Sequence, residues 1–393
     1  MNSPPVQSSL TPHQRLHCLL QLAFRPFFLL SAGYAIWLLC RWTLTLSGVW
    51  PWQSDIALFP WHAHEFQFGF AMPIVLGFLL TAAQTWTGVA SIKGYQLLGL
   101  VCLWLSARIG MNLDQYGLYV SSIADSAVLV ISMIVLLRMV LISKNYRNLV
   151  FVPILGVFLT LHLTQLYFLD QSALLLAKKV AYATSWWFVL LISLIGSRVI
   201  PFFISKAVDA TLTRESKYFT LVCQLLILTL FLQLLFDLPL PINLLYGLCL
   251  ACHLYRLYLW HHAKIWANPL LWSLWLSYAF LPLAFASLLL VDSYANAMHL
   301  INIGFIGSMI MAFTSRVSLG HTGRKMQVNL SMSIAFACVM VSALSRGIFI
   351  TLIPQYSAQL LILAAVCWLF ALCCFLIRYA PILLAPRPDG KPG

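Results

Sequence analysis

Long apolar runs recur along almost the whole chain, and they restrict its fold more than any other feature. A helix needs about 20 apolar residues to cross a bilayer core of roughly 30 Å. Of the 393 residues, 62% are hydrophobic and 8% are charged, whereas a soluble domain carries about 25% charged residues. Most of the exterior must therefore face lipid, and the sequence predicts an all-α, polytopic membrane protein.

About twelve transmembrane helices are expected, and the polar breaks between them are too short for a further domain. A count of ten remains if marginal segments such as 94–111 are re-entrant. The transmembrane domain is predicted at 22–380, between an N-terminal tail at 1–21 and a C-terminal tail at 381–393. The first tail lacks the apolar stretch of a cleavable signal peptide. The spans are predicted at 22–47, 60–84, 94–111, 118–142, 148–169, 174–203, 217–236, 239–262, 269–291, 294–316, 328–350 and 355–380.

The formal net charge of +13 could indicate nucleic-acid binding, but the distribution of the basic residues argues against it. With the N-terminus in the cytoplasm, most Lys and Arg fall on the inner side, which is the positive-inside pattern. The sequence therefore predicts an inner (cytoplasmic) membrane protein with both termini in the cytoplasm. The basic residues on the outer side are Arg41, Arg108, Lys178, Lys179 and Arg346, and the outer aspartates are Asp55, Asp114, Asp170, Asp237 and Asp292.

Four histidines lie near the outer ends of predicted spans. His62 and His64 occupy the first turns of span 2, His299 follows the start of span 10, and His162 lies two turns before the end of span 5. Ionisable residues inside a bilayer are costly and often functional, and imidazole commonly binds metals. A heme or metal site near the outer face is expected, centred on spans 2 and 10. The alternative is that each histidine only bonds a neighbour or reaches the interface.

The spacing of His62 and His64 bears on how many sites they form. Helical residues two apart point to nearly opposite faces, whereas residues three or four apart share a face. His62 is therefore expected on the side of Glu65, with His64 on the other side of the helix. Two neighbouring sites are predicted, unless Pro60 loosens the first turn and lets both histidines share one copper ion.

Span 10 carries further candidates beside its histidine. Asn302 lies three residues after His299, so its side chain is expected on the same face, where it could bond a cofactor edge or the imidazole. Gly304 and Gly307 allow close approach of a flat ring, although packing of small residues against another helix explains them more simply.

Two arginines on the outer side lie at about the depth of the histidines. Arginine binds carboxylates through two parallel hydrogen bonds. Arg108 and Arg346 are therefore candidate partners for the propionates of a b-type heme. Equally, both side chains could extend to lipid headgroups.

Two other motifs contain histidine. Cys249, Cys252 and His253 match the C-x-x-C-H signature of covalent heme attachment. Because they lie inside an apolar run on the inner half of span 8, we expect His253 to be a non-covalent ligand or a core residue instead. At the inner end of span 10, His321 sits in a compact glycine-flanked turn. It is either a second ligand, a proton-entry site or part of a basic anchor.

The sequence resembles the NnrS family of membrane proteins through motifs spread over nearly the whole chain. The SRVSLGHTGR and WHAHE strings are the most specific of them. The matching stretches are residues 24–28 (FRPFF), 61–65 (WHAHE), 77–81 (GFLLT), 86–88 (WTG), 196–203 (GSRVIPFF) and 315–324 (SRVSLGHTGR), together with His299, Gly304 and Gly307.

This resemblance implies a twelve-helix protein that contains heme and copper and is linked to nitric-oxide stress and denitrification. Heme b and copper are the expected cofactors, nitric oxide or another small diatomic is the expected ligand, and the electron donor is unknown. His64 and His299 are expected to bind heme, with His62 and Glu65 on the side of copper or a second heme. The candidate metal ligands are His62, His64, Glu65, His299 and His321.

An analogy with heme-copper oxidases suggests three arcs of four helices, because those proteins use an H-x-H pair and the polar motifs here fall on spans 2, 6 and 10. An oxidoreductase acting on nitric oxide is one expectation, but fold-level analogy alone does not establish chemistry. Two alternatives remain open. One is a secondary transporter that couples the same histidines to proton or metal movement, and the other is a factor that delivers heme or copper.

Overall fold

A computed structural model describes residues 10–54, 56–113, 115–213, 215–291 and 293–390. These residues form helices and connections without any β-strand. Three of the predicted outer aspartates, Asp55, Asp114 and Asp292, and the basic residue Arg214 lie outside the described residues. All ten cysteines are free thiols, as their position in apolar segments predicts.

Within the described part of the chain, eleven helices are long and apolar enough to cross a membrane, and a shorter apolar helix lies between the second and third of them. They confirm the predicted all-α, multi-pass membrane protein, and a twelfth span at the short helix stays a prediction. The twelve helices are numbered in chain order. The helices are α1 Phe24–Leu46, α2 Leu58–Thr87, α3 Tyr95–Gly110, α4 Tyr116–Ser143, α5 Tyr146–Asp170, α6 Leu174–Val208, α7 Lys217–Phe236, α8 Ile242–Trp260, α9 Pro269–Leu290, α10 Tyr294–His321, α11 Leu330–Leu352 and α12 Pro354–Leu383.

Local sequence signals set several helix ends. The side chains of Ser216, Asn268 and Asn329 accept hydrogen bonds from backbone N–H groups at the starts of α7, α9 and α11, which satisfies donors that have no partner within the helix. At the other end of α2, Gly88 adopts a left-handed conformation with φ of 69°, which costs glycine little.

Three helices form the centre of the bundle. In an apolar stretch of 18 residues in each helix, 89% of the residues are buried in α2, 78% in α10 and 61% in α6. These shares are larger than in the other long helices. The remaining helices pack mostly against their neighbours in the chain, and α12 returns to pack against α1. The polar motifs of spans 2, 6 and 10 are thus on the central helices. The arrangement as three arcs of four stays a prediction.

The two ends of the chain meet at one face of the bundle, which we call the N-terminal face because α1 begins there. Buried Arg25 donates hydrogen bonds from Nη1 to the carbonyls of Leu383 (2.7 Å) and Ala385 (2.9 Å), just past the end of α12. Even-numbered helices end at this face and odd-numbered helices begin there. The opposite face therefore carries the starts of α2 and α10, where the predicted histidine cluster lies.

Two of the central helices change their winding close to that cluster. In α2 the segment Glu65–Ala71 is π-helical, and in α10 the segment Leu300–Gly307 is π-helical. Each begins directly after a histidine, His64 or His299. A π-helical turn holds one more residue than an α-helical turn, and such turns are frequent at functional sites.

Candidate metal centre

The imidazoles of His64 on α2 and His162 on α5 meet in the half of the bundle toward the opposite face. His64 Nε2 lies 3.1 Å from His162 Nδ1. Asp125 on α4 completes the group, and one ligand atom from each of the three residues lies within 4.8 Å of the others. All three residues are buried. Among the described residues, this is the one set of three or more His, Cys, Asp or Glu side chains close enough to hold a metal ion.

A layer of hydrogen bonds orients these groups from behind. Glu65 Oε1 lies 2.9 Å from His64 Nδ1 and accepts a bond of 2.5 Å from Arg108 Nη1. Its other oxygen, Oε2, accepts from the hydroxyl of Tyr34, and Arg108 Nη2 donates to Asp125 Oδ2. Because Glu65 engages Nδ1 of His64, it turns Nε2 of the same ring toward His162. Metal-binding histidines are commonly held by carboxylates in this way.

The charges of this cluster do not balance among its own residues. Glu65 and Asp125 can carry two negative charges, and the buried guanidinium of Arg108 supplies one positive charge between them. When both carboxyl groups are ionised and both imidazoles are neutral, one negative charge is left over in an apolar interior, where an unpaired charge is costly. A bound cation beside Asp125 would neutralise it, and so would a proton on a carboxylate.

The donor set also fits a metal in distance and type. Two imidazole nitrogens that each lie about 2.0–2.1 Å from one tetrahedral ion are roughly 3.3 Å apart, close to the 3.1 Å between His64 and His162. Imidazole with carboxylate suits copper, zinc and iron. The predicted copper therefore fits these residues, with Asp125 in a role that the sequence analysis did not assign.

Unpaired polar atoms surround the three donors. His162 Nε2 and both amide atoms of Gln165, one turn further along α5, are buried without hydrogen-bond partners among the described residues. A cavity of about 10 Å³, lined in part by Phe68, Trp104 and Asp125, adjoins the site. That volume is about the minimum for one water molecule, so a small ligand rather than a large substrate suits this position.

The close packing of this centre depends on a glycine. A Cβ atom at Gly69 would lie 2.6 Å from Tyr34 Cε1, 2.8 Å from Arg108 Nη1 and 3.2 Å from Glu65 Oε2. Gly69 thus lets α1 and the Arg108 side chain approach the π-helical turn of α2. Its place beside Glu65 agrees with the spacing of four residues along the helix.

A second group forms around His62, whose partners differ from those of His64. The His62 ring stacks on Trp42 with 3.8 Å between centroids. His299 and Arg346 are near enough for their charges to act on His62, without a hydrogen bond or ring contact to it among the described residues. His299 Nδ1 lies 2.7 Å from the carbonyl of Ala295, which leaves Nε2 free to bind a metal.

The second group also has an arginine that could meet a carboxylate. Arg346 donates from Nη1 to Asn296 Oδ1 at 3.1 Å and forms no ion pair among the described residues. If a b-type heme were bound here, His62 and His299 would be the residues to hold its iron, and Arg346 could meet a propionate.

Two pairings therefore differ from those expected. Glu65 was expected on the side of His62, and His64 was expected to act with His299, but the structure places Glu65 and His162 beside His64. The π-helical turn begins at Glu65, so the regular spacing of 100° per residue does not apply beyond His64. Arg108 is occupied by two carboxylates, which leaves Arg346 as the arginine that fits a heme propionate.

The remaining predicted site residues lie apart from these groups. Asn302 is half-buried in the π-helical turn of α10 and makes no side-chain hydrogen bond among the described residues. His321 ends α10 at the N-terminal face, where its ring lies 5.6 Å from that of Phe24 and its carbonyl accepts from Arg387. Its role as a metal ligand stays a prediction.

Two of the sequence motifs have structural explanations. A Cβ at Gly304 would lie 2.4 Å from the ring of Phe280 on α9, so this glycine permits direct helix packing. His253, from the C-x-x-C-H motif, is a buried core residue whose Nδ1 lies 2.9 Å from the hydroxyl of Tyr278.

Comparison with known families identifies the chain. A family model described as NnrS protein matches residues 18–387, nearly the entire length. The chain belongs to the NnrS family. A comparison with curated proteins finds none that matches. The match includes all twelve helices, so both histidine groups of this NnrS protein lie within the family domain.

Sequence reasoning missed Asp125 and Tyr34 of this centre, and it placed His162 near the outer face without naming it as a metal ligand. Asp125 lies within an otherwise apolar span, and an acidic residue at that depth is by itself a signal of function. Its distance from the histidine motifs in the chain concealed the connection. Tyr34 is one of 15 tyrosines, and no sequence feature distinguishes it from the aromatic residues that anchor membrane helices.

Proposed function

We propose that this NnrS protein holds a metal ion between His64, His162 and Asp125 and uses it to bind nitric oxide or relieve its effects. The observation that carries the proposal is the buried group of two imidazoles and a carboxylate, whose ligand atoms lie within 4.8 Å of one another. Family membership supports the link to nitric oxide. In a purely structural network, the same 3.1 Å between His64 and His162 would be a hydrogen bond between the two rings, and the protein would hold no metal there.

Each residue of the centre has a distinct task in this proposal. His64, His162 and Asp125 would hold the metal, and Glu65 orients the His64 ring through Nδ1 so that Nε2 is directed toward His162. Arg108 holds both carboxylates in place, while the Tyr34 hydroxyl bonds the outer oxygen of Glu65. A redox-active metal such as copper would supply an open coordination position for a diatomic ligand. The surrounding apolar helices exclude bulk water from that position.

A heme b is proposed for the second group, with His62 and His299 as ligands and Arg346 as the partner of a propionate. The contact of His299 Nδ1 with the Ala295 carbonyl supports this assignment, because it fixes the ring with Nε2 free. The two centres would then flank the start of α2, one on each side. Turnover of nitric oxide, as in an oxidoreductase, would further require an electron donor.

The charge pattern supports a location in the inner membrane with both termini in the cytoplasm. In that orientation the N-terminal face is cytoplasmic, and both histidine groups lie in the outer half of the bilayer. Nitric oxide is small and uncharged, so it can reach such a site through lipid without a polar channel.

Metal analysis combined with optical spectra of the purified full-length protein tests this proposal. We expect a bound transition metal, a heme Soret band, and a spectral change when nitric oxide is added to the reduced protein. His162→Gln should lower metal content at least tenfold, while exposed His261→Gln should leave it unchanged. Because His261 is remote from both histidine groups, this control separates site loss from general damage.

Three results would count against the proposal. A wild-type protein without metal would indicate that a proton balances the charge of the centre. Metal that is present but unaffected by His162→Gln would place the site elsewhere. Metal uptake into proteoliposomes by a heme-free protein, or metal that exchanges readily with a partner, would favour the transporter or the delivery factor instead.

A further inference from the structure

A cavity of about 470 Å³ opens at the N-terminal face, far from both histidine groups. It lies between the connection from α10 to α11 and the last turns of α12. Its wall combines basic, polar and apolar side chains, among them Arg324, Arg378, Asn329, Ser331, Ile377 and Ile382.

Its two arginines form no ion pair with any carboxylate that the structure describes. Arg324 is half-buried, and its hydrogen bond among the described residues, 3.2 Å from Nη1, goes to the neutral carbonyl of Thr322. Burial and the positive charge of Arg378 both lower the pKa of Arg324. Arg378 forms no ion pair among the described residues. By contrast, Arg387 is held by Asp389 at 2.6 and 2.9 Å.

The polar side of the cavity continues to the start of α11. Asn329 caps that helix through Oδ1, which accepts from the Met332 N–H at 3.2 Å and from the Ser331 hydroxyl at 3.0 Å. The positive end of the α11 dipole therefore points toward the same space as the two guanidinium groups. All these groups favour an anion.

The opposite wall is apolar and faces the bilayer. Ile377 is 77% exposed on the surface of α12, and in a membrane helix such a side chain contacts lipid. Arg324 follows the end of α10 by three residues, and Arg378 precedes the end of α12 by five. The charged part of the cavity is thus at the depth of lipid headgroups, and the apolar part is at the depth of the first acyl carbons.

We propose that this cavity binds the phosphate group of an anionic phospholipid between Arg324 and Arg378, with an acyl chain along Ile377. Basic pockets between transmembrane helices commonly receive anionic headgroups. A free phosphate ion would satisfy the arginines alone, but it would leave the lipid-facing apolar wall without a function. The proposal is independent of the metal centre.

Native mass spectrometry of the full-length, delipidated protein tests it with defined lipids. The probes are phosphatidylglycerol, zwitterionic phosphatidylcholine and inorganic phosphate. We expect a preference for phosphatidylglycerol of roughly thirtyfold, from about fivefold for each arginine near the surface. The double variant R324Q/R378Q should reduce this preference to near unity, and R324K/R378K should retain most of it because the charges remain.

Lys325→Gln is the matched control, since Lys325 is an exposed cation in the same connection that does not line the cavity. It should retain the wild-type preference. Equal binding of the two lipids by wild type would overturn the proposal. So would an equal loss in K325Q, which would indicate diffuse surface charge, or full displacement of the lipid by inorganic phosphate, which would indicate a site for a free anion.

Discussion

The uncompensated carboxylate of the buried centre leads to opposite expectations for two of its residues. Arg108→Gln would leave both Glu65 and Asp125 without a cation, although both are buried. Asp125→Asn would instead leave a balanced pair of Arg108 and Glu65, with an amide oxygen still able to accept from Arg108 Nη2. If the protein lacks a counter-cation once metal is removed, removing Arg108 should be far more damaging than neutralising Asp125.

The magnitudes follow from the contacts. Breaking a buried ion pair by removing one partner costs about 3–5 kcal/mol, and Arg108 has two such partners, so Arg108→Gln should lower the free energy of unfolding by at least about 3 kcal/mol. In Asp125→Asn the loss of one charge-assisted bond, about 1–2 kcal/mol, is offset by relief of the uncompensated charge. The net change in metal-free protein should lie within about 1 kcal/mol of zero.

Unfolding of the chelator-treated protein in mixed micelles, followed by circular dichroism, measures these values. A transition metal added at about a hundred times its dissociation constant should then stabilise wild type by about 2.7 kcal/mol, and Asp125→Asn much less. Lys179→Gln is the control, because it removes an ion pair with the exposed Asp237 and should change stability by at most about 1 kcal/mol. If Asp125→Asn destabilises the metal-free protein as much as Arg108→Gln, Asp125 is simply the counter-ion of Arg108 and the charge argument fails.

Other predictions concern packing and heme. Gly69→Ala should lower the free energy of unfolding by about 1–2 kcal/mol through overpacking, and it should weaken metal binding. Gly33→Ala is the control, because no atom lies within 4 Å of the added Cβ. It should be neutral or slightly stabilising in the same assays. Gly110→Ala would place a Cβ 2.5 Å from the Gly117 carbonyl and should cost more than about 2 kcal/mol; an equal effect of Gly99→Ala, where the space is open, would contradict this. His299→Gln should shift or remove the Soret band without lowering copper content, and loss of both cofactors together would indicate one shared site.

The sequence was sufficient to predict the helices, because each span must bury its backbone polar groups and present about 20 apolar residues to lipid. Depth followed from topology, so the histidines were correctly expected in one half of the bundle. The side-chain partners were harder to predict. Glu65 and His64 are adjacent in the chain, and regular helix geometry would direct them to different sides. Their side chains nevertheless meet at 2.9 Å, at the point where α2 changes to a π-helix, which no residue type signals reliably.

Asp125 illustrates a different limit. Its importance depends on the crossing of α3 and α4, where Gly110 and Gly117 let the backbones approach closely enough for Arg108 to reach it. Such a crossing depends on the packing of whole helices and not on the sequence near Asp125. The acid and the arginine lie in adjacent spans, but the sequence does not show that the two helices cross closely enough for them to pair directly.

The π-helical turn of α2 implies that a shortened helix would be tolerated better in this segment than elsewhere in α2. Because a π-helical turn holds one residue more than an α-helical turn, deletion of one residue between Glu65 and Ala71 would let the segment rewind as a regular α-helix, and the two halves of α2 would keep nearly the same relative rotation. Deletion of one residue in the regular segment Met72–Thr87 would instead rotate His62 and His64 by about 100° relative to the half of α2 that reaches the N-terminal face. The extra residue would therefore shape the local contacts of Glu65 and Gly69, whereas the regular part of the helix sets the direction of both histidines.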